Sequence, residues 1–390
     1  MVLSFHDKLL LVEFYRDLSI ICLKKGSRID KIIIKEQTIA HFGVIITHYL
    51  WFGYRENGME KKKITIADVA EALGVSKTTV SRAISGKGRI GNETKERVLK
   101  YIEEHDYKPS VIAQGLAMSR TYNIGVVMPE DYCMVDAPFF VNCMAGLHEV
   151  AASGGYDLLL TICNNVDMTN LEKMVDNKKV DGIVLMRAFV KDQAVEYLKK
   201  EQIPFVIVGS SPYEHVVQID QDNEGACKEL TSVLLLKGMK RMALIGGNEN
   251  YVVTQKRLKG YMTAFEEMGK PLDKELIYMN QENASSIEHV VEEILKKEVD
   301  CIACMDDNIC ICVLNRLRRD GIKVPSQMTV ASFFNSSILE NNMPAITSLV
   351  FDVKALGMAA GRRLIEQIEQ KECPPVTLLG YEIVLKESTK

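Results

Sequence analysis

Short apolar runs recur along the chain at 124–128, 158–162, 182–186, 205–208, 242–245, 301–304 and 329–333. Each is bounded by Gly, Pro, Asp or Asn and followed by a stretch of helix length. Unbroken apolar runs suit strands buried on both faces, and their alternation with helices predicts a parallel sheet built from βα units. Upstream, residues 64–107 read as three short helices and 108–122 as a linker holding one more. Residues 1–58 mix Ile, Leu and Phe with no clean helical or strand period.

The pattern is sharpest over 65–84. Thr65 and Asp68 form a plausible N-cap pair, and Ile66, Val69, Ala70 and Leu73 recur at helical spacing. Gly74 supplies a left-handed turn, and Ser76 caps a second helix. Val75, Val80 and Ile84 are expected to turn inward. Ser76, Lys77, Thr78, Thr79, Ser81 and Arg82 then gather at or near the outer N-terminal end of the second helix. A recognition helix presents that end to the major groove, where arginine bridges guanine O6 and N7 and threonine meets a thymine methyl or a phosphate. A third helix is expected from an Asn92 cap, with Val98 and Ile102 inward. The competing reading is a three-helix bundle with a solvated basic face.

Charge agrees with a split of labour. Residues 59–120 carry 12 basic and 8 acidic side chains, residues 121–390 carry 28 and 38, and residues 1–58 carry 8 and 6. A small basic module on a larger acidic one fits nucleic-acid binding by the first alone. Ten cysteines at irregular spacing, with no small-residue cleavage site near the start, fit a reducing cytoplasm. The apolar stretch 38–54 contains His41 and His48 and is short for a membrane helix. The character changes at Met59, so residues 1–58 are either an extension or the product of a start codon placed too early.

Here a resemblance becomes explicit. Asp68-Val69-Ala70, Gly74-Val75-Ser76, Thr79-Val80-Ser81-Arg82, Arg97-Val98 and Tyr107-Lys108-Pro109 resemble the DNA-reading head of the lactose-repressor (LacI/GalR) family. The likeness runs from Met59 to Lys390 and in wording is nearest the family's maltose-type regulators. It implies an all-α helix-turn-helix head at 59–107 and a hinge helix within 108–122. An α/β two-lobed sensor of the periplasmic-binding-protein (type I) kind would follow at 123–390. The first lobe is expected over about 123–221 and 350–377, the second over about 222–349 and 378–390. In the hinge, Gln114 would contact DNA and Leu116 would wedge between base steps in the minor groove. In the sensor, Arg257 matches the effector-clamping arginine, and Phe139 and Phe140 match an aromatic pair at the rim.

Other positions depart from the family pattern. Asp306 stands where Asn is usual, Phe334 replaces an Asp, Phe351 replaces a Gln, and Gly209 lacks an acid. Acceptors are exchanged for apolar surface, which points to an oligosaccharide or glucoside rather than a simple monosaccharide. The resemblance thus implies a cytoplasmic homodimeric repressor that binds a double-stranded DNA operator under control of a carbohydrate effector, with no membrane partner, cofactor or metal. Two rivals stay open. One is a regulator answering to a protein co-repressor, and the other is a sugar-binding receptor anchored by residues 1–58. An enzyme is disfavoured, because the chain has no Walker loop, no Gly-x-Ser-x-Gly elbow and no His-Glu-x-x-His, and no catalytic residue is assigned. The spacing Cys301-x-x-Cys304 with Cys310-x-Cys312 invites a zinc reading, but it falls on a strand and then a helix whose side chains diverge.

Overall fold

The computed structural model describes the side chains of residues 64–84, 88–105, 107, 115, 120–130 and 138–390, and the backbone of strands between 2 and 35. Those strands are β1 (Val2–Phe5), β2 (Lys8–Tyr15), β3 (Leu18–Lys25) and β4 (Arg28–Lys35), joined as an antiparallel meander. No strand period was expected there. The overlooked signal is the two-residue spacing between strands, including the hairpin-type pair Gly26-Ser27. The apolar stretch 38–54 lies outside the described residues, as do Gln114 and Leu116.

The chain divides into two compact units, 1–109 and 110–390. In the first, α1 (Ile66–Leu73), α2 (Lys77–Ser85) and α3 (Asn92–Glu104) surround a small core of Val69, Ala70, Val80, Ala83, Val98 and Tyr107. Thr65 and Asp68 form a full capping box: the Asp68 N–H donates to Thr65 Oγ1 at 3.3 Å, and the Thr65 N–H to Asp68 Oδ2 at 2.7 Å. Gly74 ends α1 at φ 67°, a left-handed conformation that a side chain would strain. Ser76 starts α2 by accepting from the Thr79 N–H at 3.1 Å. The third helix departs from expectation by one residue. Gly91, without a side-chain cap, precedes it, and Asn92 is already helical. Arg97 Nη2 donates to the Leu73 carbonyl at 3.3 Å, satisfying a group at the end of α1.

The second unit holds two six-stranded sheets. Lobe 1 contains β5 (Asn123–Pro129), α4 (Pro138–Ser153), β6 (Asp157–Cys163), α5 (Thr169–Asp176), β7 (Gly182–Leu185), α6 (Gln193–Lys200), β8 (Phe205–Val208) and β9 (Val217–Gln221). Lobe 2 follows with α7 (Asn223–Leu236), β10 (Met242–Ile245), α8 (Val252–Glu267), β11 (Ile277–Tyr278), α9 (Ala284–Leu295) and β12 (Cys301–Cys304). It continues through α10 (Asp307–Arg319), β13 (Thr329–Ser332), α11 (Ser337–Glu340) and β14 (Thr347–Val350). The chain then returns to lobe 1 for α12 (Val353–Ile368) and β15 (Val376–Leu379), and ends in lobe 2 with β16 (Glu382–Val384).

Sheet order is β15-β9-β8-β7-β5-β6 in lobe 1, parallel throughout, and β11-β10-β12-β13-β14-β16 in lobe 2, where only β16 runs antiparallel. Three crossings therefore join the lobes: after β9, after β14, and between β15 and β16. The last lies at Gly380 and Tyr381, beyond the expected 377–378 boundary, because Val376–Leu379 pairs in full with β9. Helices α4 and α12 pack backbone to backbone. A Cβ on Gly146 would sit 2.0 Å from the Lys354 carbonyl oxygen, and one on Gly357 1.9 Å from that of Cys143. Among the described residues no helix is long and apolar enough to cross a membrane.

Candidate functional site

The strands of each lobe end toward the other lobe, and a cavity of about 460 Å³ lies where they converge. That volume falls in the range of small-molecule sites, and the ends of parallel strands are where such sheets bind ligands. Its wall includes Phe139 and Phe140 at the start of α4, Arg187 after β7, and Asp220 and Gln221 at the end of β9. Lobe 2 adds Tyr251, Arg257, Asp306 and Phe334.

Arg257 is already oriented. Its Nε donates to Asn223 Oδ1 at 3.0 Å, its Nη1 to the Met305 carbonyl at 2.6 Å, and its guanidinium carbon stands 5.8 Å from the Phe334 ring centroid. Asn223 in turn donates from Nδ2 to Asp220 Oδ1 at 3.2 Å, and Ser210 Oγ donates to Asp220 Oδ2 at 2.7 Å. This chain of bonds runs from lobe 1 into lobe 2 through the first crossing and holds the fork of Arg257 in place. Burial raises the carboxyl of Asp220 above its usual range, offset in part by donors from Ser210 and Gln221 and by the charge of Arg257.

Asp306 caps α10, accepting from the Ile309 N–H at 2.8 Å. Burial raises its carboxyl too, the Ile309 donor and Arg257 lower it, and the neighbouring Asp307 raises it further. It is thus a wall acid and a helix cap together. Asp307 is buried and accepts from Ser336 Oγ.

Aromatic rings continue the wall. Phe139 meets Phe140 edge-on at 5.2 Å and reaches across the cleft to Phe334 at 6.0 Å. Phe351 does not line the cavity. Its ring stacks behind Phe334 at 6.2 Å and meets Tyr381 at 6.4 Å. It follows β14 directly and so sits at a crossing, backing the wall from the hinge side.

Sequence reasoning missed Arg187, Tyr251 and the Asp220–Asn223 turn. Arg187 directly follows an apolar run, and that strand-end rule alone would have found it. At one side of the cleft the lobes are clasped. Val190 N–H donates to the Asn250 carbonyl at 2.9 Å and Val252 N–H to that of Ala188 at 3.2 Å. Within the clasp Phe189 and Tyr251 meet edge-on at 5.5 Å, and Arg187 lies 4.1 Å over the Tyr251 ring.

In the head, Ser76, Lys77, Thr78 and Arg82 are exposed, while Thr79 and Ser81 are half-buried. Thr79 is drawn back by Ser76, whose hydroxyl lies 2.8 Å from its own. Arg82 leans toward the loop before α3, where a Cβ on Gly88 would come within 3.2 Å of its Cδ. The expected DNA-facing set outside the hinge therefore does not gather at the N-terminal end of α2: it runs along the helix from Ser76 and Lys77 at the start to Arg82 in the last turn, with Thr79 and Ser81 partly covered.

Comparison with known proteins bears on both units. Residues 65–110 match the family described as bacterial regulatory proteins, lacI family. Residues 121–379 match periplasmic binding proteins and sugar binding domain of LacI family. The HTH-type transcriptional regulator MalR of Streptococcus pneumoniae is 33% identical over 268 residues, covering 67% of this chain and 82% of that protein. Catabolite control protein A of Staphylococcus aureus is 28% identical over 339 residues, covering 84% and 99%. A solved structure of the transcriptional regulator CelR in complex with cellobiose superposes with a TM-score of 0.65 at 26% identity, covering 83% and 99%.

Proposed function

The chain belongs to the LacI family of bacterial DNA-binding transcription regulators, and on that footing we propose that it is a cytoplasmic homodimeric repressor whose operator affinity is set by a neutral oligosaccharide held between the sensor lobes. The observation that carries this reading is the interlobe cavity, with an arginine fork fixed on one side and aromatic rings on the other. Rings stack on sugar faces, and a fork of N–H donors suits hydroxyls. The resemblance to a regulator solved with cellobiose supports a disaccharide in particular. The exposed side chains of Lys77, Thr78 and Arg82 along α2 support major-groove readout. Leu116 and Gln114 would complete the DNA contact from the hinge. The protein works by moving lobes rather than by catalysis, and effector control is only as strong as the effector's preference for one lobe arrangement.

Two variants of the full chain test the reading together. Arg82→Ala should weaken specific operator binding by roughly 1–3 kcal/mol and leave the thermal shift with sugar intact. Arg257→Ala should lose the sugar-induced shift in melting temperature and keep the operator footprint. An Arg257→Ala protein that still responds fully would place the effector elsewhere. An Arg82→Ala protein with an unchanged footprint would remove the head from DNA recognition.

A further inference from the structure

Building on the sugar-effector reading, we propose that the side-chain amide of Gln221 determines specificity in the cavity by hydrogen-bonding a ring hydroxyl of the effector. Gln221 closes β9 at the first crossing, and its backbone is held from both sides. Its N–H donates to Asp220 Oδ1 at 2.7 Å, and its carbonyl accepts from Asn223 Nδ2 at 3.1 Å. The residue is only 3% exposed and lies on the cavity wall. Its amide nitrogen, Nε2, has no hydrogen-bond partner.

Buried amides without partners are rare, because losing water without replacing its hydrogen bonds costs folding free energy. Two other buried polar atoms lack partners among the described residues, the hydroxyls of Thr231 and Ser348, and neither lines the cavity. The orphan that belongs to a wall residue is thus the one that a turn of its side chain could bring to a bound molecule. An amide carries a donor and an acceptor on one plane, and turning it half round exchanges them. That matches a hydroxyl, which also donates and accepts. A site built to bond a hydroxyl discriminates strongly against ligands that leave its polar group unpaired.

The test uses the full chain, with Gln221→Met as the near-isosteric apolar variant and Gln221→Leu beside it. Melting temperature without sugar and affinity by calorimetry are measured against a panel of glucose, maltose, cellobiose and sucrose. The expected result is a ligand-free melting temperature equal to or above wild type in at least one variant. With it, affinity should fall about 10-fold or more for the sugar that wild type binds. A lowered melting temperature in both variants would mean the amide is structural, and an affinity within twofold of wild type would mean it does not touch the effector. Either overturns the role of Gln221 alone. If wild type binds no sugar in the panel, the sugar reading falls and takes this role with it.

Discussion

Replacing Phe189 with alanine isolates the clasp between the lobes. Phe189 is not on the cavity wall, whereas its partner Tyr251 is, so a change at 189 reports on lobe closure rather than on a lost effector contact. The two backbone hydrogen bonds of the clasp survive the substitution, since they involve Ala188, Val190, Asn250 and Val252. What disappears is one edge-on ring pair at 5.5 Å. Such pairs contribute about 0.5–1.5 kcal/mol beyond burial, which is roughly a 2- to 12-fold change in the ratio of closed to open lobes. If the free sensor is mostly open, effector affinity should fall by that factor. If it is mostly closed, affinity should hold while the mean distance between the lobes grows. Calorimetry gives the first quantity, and a pair of spin labels, one per lobe, gives the second. Both unchanged would show that the clasp does not set the lobe equilibrium.

Gly357→Ala should destabilise the sensor by about 3 kcal/mol or more in urea denaturation. The new Cβ would fall 1.9 Å from a carbonyl oxygen of a facing helix, and backbone yields less readily than a side chain. A loss under about 1 kcal/mol would contradict the close approach. Asp306→Asn should keep the α10 cap, since asparagine caps as well as aspartate. The folded carboxyl of Asp306 is raised, so its contribution to stability is present below about pH 4 and is lost as pH rises through the folded value. The variant should therefore gain on wild type between mildly acidic and neutral pH, and the gain should vanish near pH 3. A pH-independent difference would refute the buried-acid argument.

The seven apolar runs all became strands: six are covered on both faces and so apolar throughout, while β6 at the edge of its sheet is apolar yet leaves Leu160 and Ile162 exposed. Val217–Gln221 escaped notice because its end turns polar, Asp220 and Gln221 being wall residues of the cavity. The edge strands β15 (Val-Thr-Leu-Leu) and β16 (Glu-Ile-Val) escaped because each is short and its apolar residues are interrupted or preceded by a polar one. Arg257, Phe139, Phe140, Asp306 and Phe334 all line the cavity. Phe351 does not; its ring stacks behind that of Phe334, against Tyr381. The clasp was illegible for a different reason: residues 189 and 251 meet through the folding of two lobes, and no local pattern marks the meeting.

The glycine contact between α4 and α12 gives lobe 1 a mechanical character. Phe139 stands at the head of α4, and α12 starts just after the crossing at Phe351 and Asp352. Two helices whose backbones touch at Gly146 and Gly357 cannot slide past each other without carbonyl oxygens colliding. They act as one rigid strut, so a push on the ring at one end is delivered to the pivot at the other instead of being absorbed as slippage along the way.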